Sequence, residues 1–157
     1  MVMYGRSLMS LVIAHSLGKR GVEVIGCDDV EFTVLSFSRY VTKTFVHEPL
    51  DEDREGFLND LEGHLRKLIP PDGRPYVLMP VFRETEIIAR HRDRFESFME
   101  VAAPPYEAIA AVHPKDRLAA TAQRLGVPVP RTWDQRRVDS SGAGAGNHET
   151  GSDTGTT

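Results

Sequence analysis

Between Asp51 and Ile69, Phe57, Leu61, Leu65 and Leu68 fall on one helical stripe, with Leu58 and Ile69 beside it. Acids at Asp51, Glu52 and Asp53 and bases at Arg66 and Lys67 suit the two poles of a helix. Pro70-Pro71-Asp72-Gly73 stops it, and Tyr76–Met79 follows as a continuous apolar run. An amphipathic helix leading into a fully apolar short strand is the signature of a parallel sheet covered by helices. Few other architectures accommodate that pair.

The rest of the chain repeats the alternation. Val2–Tyr4 reads as a short strand ending at Gly5, and Ser7–Lys19 as a helix closed by Arg20 and Gly21. That helix is apolar on most sides, as for one packed hard against a sheet. Val22–Gly26 and Thr42–His47 read as further strands, Glu84–Phe95 as a helix, and Phe98–Ala102 as a fifth strand. Helices are expected over Pro105–Ala111 and from Pro114 to Leu125, where Gly126 ends the second. The expected fold is α/β: a three-layer, Rossmann-like parallel sheet with helices on both faces. A first strand of three residues is short for a central position, so either the sheet tolerates a stub or the natural start lies upstream.

Composition narrows the function classes. Nineteen basic residues against 23 acidic give a net charge of −4, which argues against a nucleic-acid partner. Cys27 is the single cysteine, so a disulfide framework or a thiolate-rich zinc site is excluded. No apolar run approaches a membrane span, and the polar breaks at Ser10, His15 and Ser16 do not suit a signal peptide; a cytoplasmic location is expected. From Ser140 to Thr157, 12 of 18 residues are Gly, Ser or Thr, which cannot bury enough surface to order themselves. The expected organisation is an α/β domain over 1–112, a linking helix and the start of a further region over 113–133, and a disordered tail over 134–157.

Ligands in parallel α/β sheets bind beyond the carboxyl ends of the strands. Gly5-Arg6-Ser7 lies there, either holding an anion on backbone N–H groups or making a tight turn capped by Ser7. It supplies one glycine of the three in a dinucleotide fingerprint. Asp28 and Asp29 end the second strand, where a ribose-binding acid sits in nicotinamide folds. Arg39 could meet an anionic ligand, pair with Asp28 or Asp29, or belong to a solvated loop. Arg83, Glu84 and Glu86 follow the most apolar strand, as ligand-edge groups or as first-turn acids. The six histidines form no close ligand pair, so no metal site is expected, and Cys27 reads as a buried small hydrophobe.

His113-Pro114-Lys115-Asp116-Arg117 followed by Arg124-Leu125-Gly126-Val127-Pro128-Val129-Pro130-Arg131-Thr132 resembles the segment that joins the N-terminal domain of ATP-grasp enzymes to their ATP-binding part. Ser38-Arg39-Tyr40-Val41 and the stretch from Met79-Pro80 to Glu86 are similar to that family's pre-ATP-grasp domain. The resemblance spans residues 2–133 and points to carbamoyl-phosphate-synthase-like carboxylate–amine ligases. It implies an N-terminal domain forming one wall of a site for a small carboxylate or amine, with Gly5, Arg6, Asp28, Arg39, Glu84 and Glu86 facing substrate. Lys115 would reach the phosphates of ATP. The Mg²⁺ ligands and most ATP contacts belong to further domains of the family, so this chain is expected to bind neither tightly and to be inactive alone. A separate chain carrying those domains, or self-association through Leu118, Val127, Val129 and Trp133, would cover its far end. The alternatives are a non-catalytic nucleotide- or dinucleotide-binding module and a regulatory or scaffolding domain.

Overall fold

The computed structural model describes residues 1–113 and 115–130. The chain divides into two compact units, 1–109 and 110–157. In the first, α1 (Leu8–Gly18), β1 (Ile25–Asp28), β2 (Lys43–Val46), α2 (Arg54–Lys67), β3 (Val77–Leu78), α3 (Glu84–Arg90), α4 (Asp93–Glu96) and β4 (Glu100–Val101) follow in order. A single 3₁₀ turn, Val34–Phe37, lies between β1 and β2. Helix α5 (Tyr106–Val112) crosses the division, and α6 (Lys115–Arg124) belongs to the second unit.

Two small parallel sheets result, β1 with β2 and β3 with β4. Residues 1–3 link them. Val2 bridges in parallel to Gly26 on one side and Met79 on the other. Val2 N–H donates to Ile25 O at 2.8 Å, Cys27 N–H to Val2 O, and Met3 N–H to Met79 O. The spatial order is therefore β2, β1, residues 1–3, β3, β4. Side chains alternate across this central segment, as in any strand. Met1 and Met3 join a core with Cys27, Leu78, Val101 and the buried stripes of α2, α3 and α4, including Phe57, Leu61, Leu65, Ile88 and Phe95. Val2 joins a second core with Val24, Leu35, Val81 and Ala14 of α1.

Several elements differ from the sequence reading. The second strand starts at Ile25, not Val22, so Asp28 ends the strand itself. Helix α2 begins at Arg54, because the Asp53 carboxylate accepts from Glu55 N–H at 3.0 Å and caps it; Asp51 and Glu52 lie ahead of it. The Glu84–Phe95 helix is broken in two at His91 and Arg92, where Arg92 reaches the carbonyls of Val101, Ala103 and Pro104. Helix α1 is not buried all round. It buries Ser10 and Ala14, whose small side chains allow close approach, packs half-buried Leu11, Ile13 and Leu17 against the second core, and leaves Leu8, Met9 and Val12 facing outward. Helix α6 ends as expected: Gly126 takes φ +69°, Gly126 N–H donates to Gln123 O and Val127 N–H to Ala122 O, a Schellman cap. Leu118 and Val127 are exposed and Val129 half-buried, while Trp133 and the tail lie outside the described residues.

Candidate functional site

Burying a polar side chain costs free energy unless its partners are supplied, so the position of such groups is informative. Five polar residues are buried in the first unit. Ser10 donates to Met3 O at 2.8 Å and fixes α1. The other four, Asp28, Thr33, His47 and Glu84, all stand at or just after the carboxyl ends of strands. This is the ligand-binding edge of a parallel sheet.

Asp28 is the hub. Its carboxylate accepts from Arg6 N–H at 2.8 Å, from Arg6 Nε at 3.0 and 3.1 Å, and from Asp29 N–H at 2.7 Å. Arg6 Nη2 also contacts both Asp28 and Asp29. Asp28 holds the Arg6 guanidinium above its ordinary pKa. Arg6 is thus the partner of both aspartates, and Arg39 is not. Arg39 bonds Tyr40 Oη at 2.8 Å ahead of β2, and β2 enters the sheet at its amino end, with Lys43 opposite Ile25. Gly5 makes a close approach: a Cβ there would lie 2.7 Å from Thr33 Oγ1 and 3.3 Å from Cys27 O. Ser7 is the cap of α1, accepting from Met9 N–H at 3.1 Å.

On the other side of residues 1–3, Tyr4 stacks on Phe82 with ring centroids 5.3 Å apart. Both take left-handed backbone, with φ 56° and 65°, and Phe32 in the loop after β1 does likewise at 56°. The three non-glycine residues described with positive φ are therefore aromatics in loops that follow strand ends, conformations that cost of order 1–3 kcal/mol each. Glu84, at the start of α3, has an Oε2 with no hydrogen-bond partner among the described residues. Burial pushes its carboxyl above the usual range, Asp28 adds to that, and Arg83 and Arg6 oppose it. Arg83 pairs outward with Asp51. Glu86 is also directed outward, in an i,i+4 pair with Arg90 at 3.3 Å.

His47 follows β2, and the sequence reading weighed it only as a metal ligand. Its Nδ1 lies 2.8 Å from Glu48 O, so that nitrogen carries the proton and Nε2 is an acceptor without a partner among the described residues. Burial lowers its pKa, which keeps the ring neutral at pH 7. Its position at a strand end was the available signal. Burial likewise pushes the Cys27 thiol far up, so it is no nucleophile.

A cleft of about 500 Å³ opens between the carboxyl ends of β1 and β2. Asp28, Glu31, Phe32, Thr33, Thr44 and Phe45 are among its lining residues. Its size suits a small organic molecule. Among the described residues no group of three His, Cys, Asp or Glu side chains could hold a metal ion, so no step through Mg²⁺ is derived. Lys115 opens α6 in the second unit. No family model matches the chain, and no curated protein matches it significantly.

Proposed function

We propose that the chain is the substrate-side N-terminal domain of a cytoplasmic ATP-grasp ligase of the carboxylate–amine, carbamoyl-phosphate-synthase-like kind, built as a three-layer Rossmann-like sheet. The observation that carries the reading is the collection of buried Asp28, Thr33, His47 and Glu84 at the carboxyl edge of strands ordered β2, β1, residues 1–3, β3, β4. That order reverses direction at residues 1–3, the switch point beside which ligands bind in such sheets. The chain's own contribution is to bind and orient a small carboxylate or amine. Asp28 fixes Arg6, and the charges of Arg6 and Arg83 act on the buried Glu84 carboxyl. ATP and Mg²⁺, by the resemblance, supply phosphoryl activation of the carboxylate from further domains, with Lys115 turned to the nucleotide.

A dinucleotide-binding module is less well supported, since Asp28, the residue that would take ribose hydroxyls, already carries Arg6. The test is ADP release. The chain alone is expected to release none with Mg²⁺ and candidate carboxylates, because phosphoryl transfer depends on metal neutralising the developing charge. Supplying the ATP-binding domains, in the same frame or as a second chain, should give carboxylate- and amine-dependent release. Stoichiometric release by the chain alone, abolished by Lys115→Ala, would overturn the division of labour. Saturable NADH fluorescence enhancement at micromolar concentration would favour the dinucleotide module.

A further inference from the structure

The charges around the cleft between β1 and β2 are lopsided. Asp28 and Glu31 line it, Asp29 adjoins Asp28, and no lysine, arginine or histidine is part of the lining. Arg6, the cation next to the cleft, is shared by Asp28 and Asp29, and Arg83 is paired with Asp51, so the surroundings retain net negative charge. Lys43, the nearest base on β2, lies opposite Ile25 at the other end of the strand pair. The walls add apolar surface from Phe32, Val30 and Val46, and hydroxyls from Thr33 and Thr44. Phe32 is 78% exposed and held in left-handed backbone at the rim, with its ring offered to solvent. A carboxylate ligand would meet net negative charge here. An ammonium group would meet Glu31, beside the net negative Asp28–Asp29–Arg6 cluster, with the Phe32 ring near it to attract a cation.

We propose that this cleft binds the protonated amino group of a primary amine, with Glu31 as its counter-charge, the net negative Asp28–Asp29–Arg6 cluster beside it, and Phe32 and Val46 against its apolar body. The amine is thereby assigned to this wall as the nucleophile to be ligated; that last step rests on the ligase reading, whereas the binding does not. Thr44 is exposed on the second strand of the pair and looks into the cleft, so its replacement by a large side chain closes the space without entering either core.

Phenethylammonium and its charge-reversed analogue 3-phenylpropionate provide a matched pair of probes for the full chain, followed by backbone amide shifts without ATP. Phenethylammonium is expected to shift residues 30–36 and 44–46 saturably, and 3-phenylpropionate to bind at least about tenfold more weakly. Glu31→Gln should weaken phenethylammonium by about tenfold, and Thr44→Trp should abolish its binding while the remaining spectrum is kept. Equal or tighter binding of 3-phenylpropionate, shifts outside the cleft, or indifference to both substitutions would overturn the proposal. So would saturable binding of adenosine at these residues with no response to phenethylammonium. Absence of the ATP-dependent reaction once the ATP-binding domains are supplied, with ammonium binding intact, would remove the ligase reading alone. Failure of ammonium binding with ligation preserved would remove the amine site alone.

Discussion

The two ends of the strands in the first unit are built on different principles. At the amino end, a wider groove of about 770 Å³ is lined largely by apolar groups such as Leu68, Ile69 and Pro70. Its side-chain ion pairs are kept in water: Arg74 pairs with Glu23 at 3.1 Å and with Asp72 at 2.7 Å, all three well exposed. The buried groups there are the Met1 ammonium, which donates to Val77 O at 2.9 Å, and Tyr76 Oη, which has no partner among the described residues. At the carboxyl end the polar groups are buried, His47 Nε2 and Glu84 Oε2 have no hydrogen-bond partner among the described residues, and three aromatics hold left-handed backbone. The buried carboxylates, the buried imidazole and the left-handed aromatics all stand at the carboxyl edge, and the cost of holding them there sets it apart from the amino end.

Removing one hub from each end gives the largest expected contrast. Asp28→Ala withdraws five hydrogen bonds and leaves the Arg6 and Asp29 N–H groups to find water. The half-exposed Arg6 can rehydrate, so a cost of about 2 kcal/mol is expected in denaturant unfolding. Arg74→Ala should leave the midpoint unchanged, because exposed ion pairs gain little over water. Equal effects at the two ends would erase the distinction.

How far the sequence announced this arrangement differs from element to element. The stripe of α2 and the run at β3 were legible because periodicity and proline punctuation act locally. Residues 1–3 were too short to identify as the link between sheets; their role depends on hydrogen bonds to Ile25 and Met79, far along the chain. Asp28, Arg6 and Glu84 could be placed at the carboxyl edge from strand ends alone. The partnership of Arg6 with both aspartates could not, since Arg39 was an equally basic candidate. His47 went unassigned because a lone histidine carries no spacing signal, and its importance lies in a buried Nε2 that only packing creates. The helix break at Arg92 was hidden for the same reason.

The two partnerless groups at the carboxyl edge titrate in opposite senses, which makes pH the next probe. Glu84 has its folded pKa raised above the ordinary 4.5 by burial. Folding is then favoured below 4.5, where both states are protonated, and its contribution is lost as pH rises through the folded value. Glu84→Gln should therefore raise the melting temperature at pH 7 and change it little near pH 4. His47 has its folded pKa lowered below 6.5, again chiefly by burial. Its contribution is present above 6.5 and disappears as pH falls through the folded value, so His47→Gln should flatten the loss of stability on acidification from neutral pH. Melting curves across pH 4–8 separate the two. A parallel offset at every pH would mean that neither side chain is held out of water.

The smallest effect should come from Phe32, and it sets strain directly against binding. Phe32 is 78% exposed, lies outside both cores, and holds φ at 56°, a conformation open to glycine without penalty. Phe32→Gly relieves the left-handed strain of a side chain that buries little, while glycine makes the unfolded chain freer. The first term is the larger, so a gain of about 0.5 kcal/mol is expected in denaturant unfolding. The same substitution removes the aromatic rim of the cleft and should weaken phenethylammonium by about threefold, the scale of an exposed cation–aromatic contact. A variant that is more stable and binds less well identifies the strain as serving the site. A variant that is less stable would show Phe32 to be a structural residue whose backbone is held in place by contacts of its own.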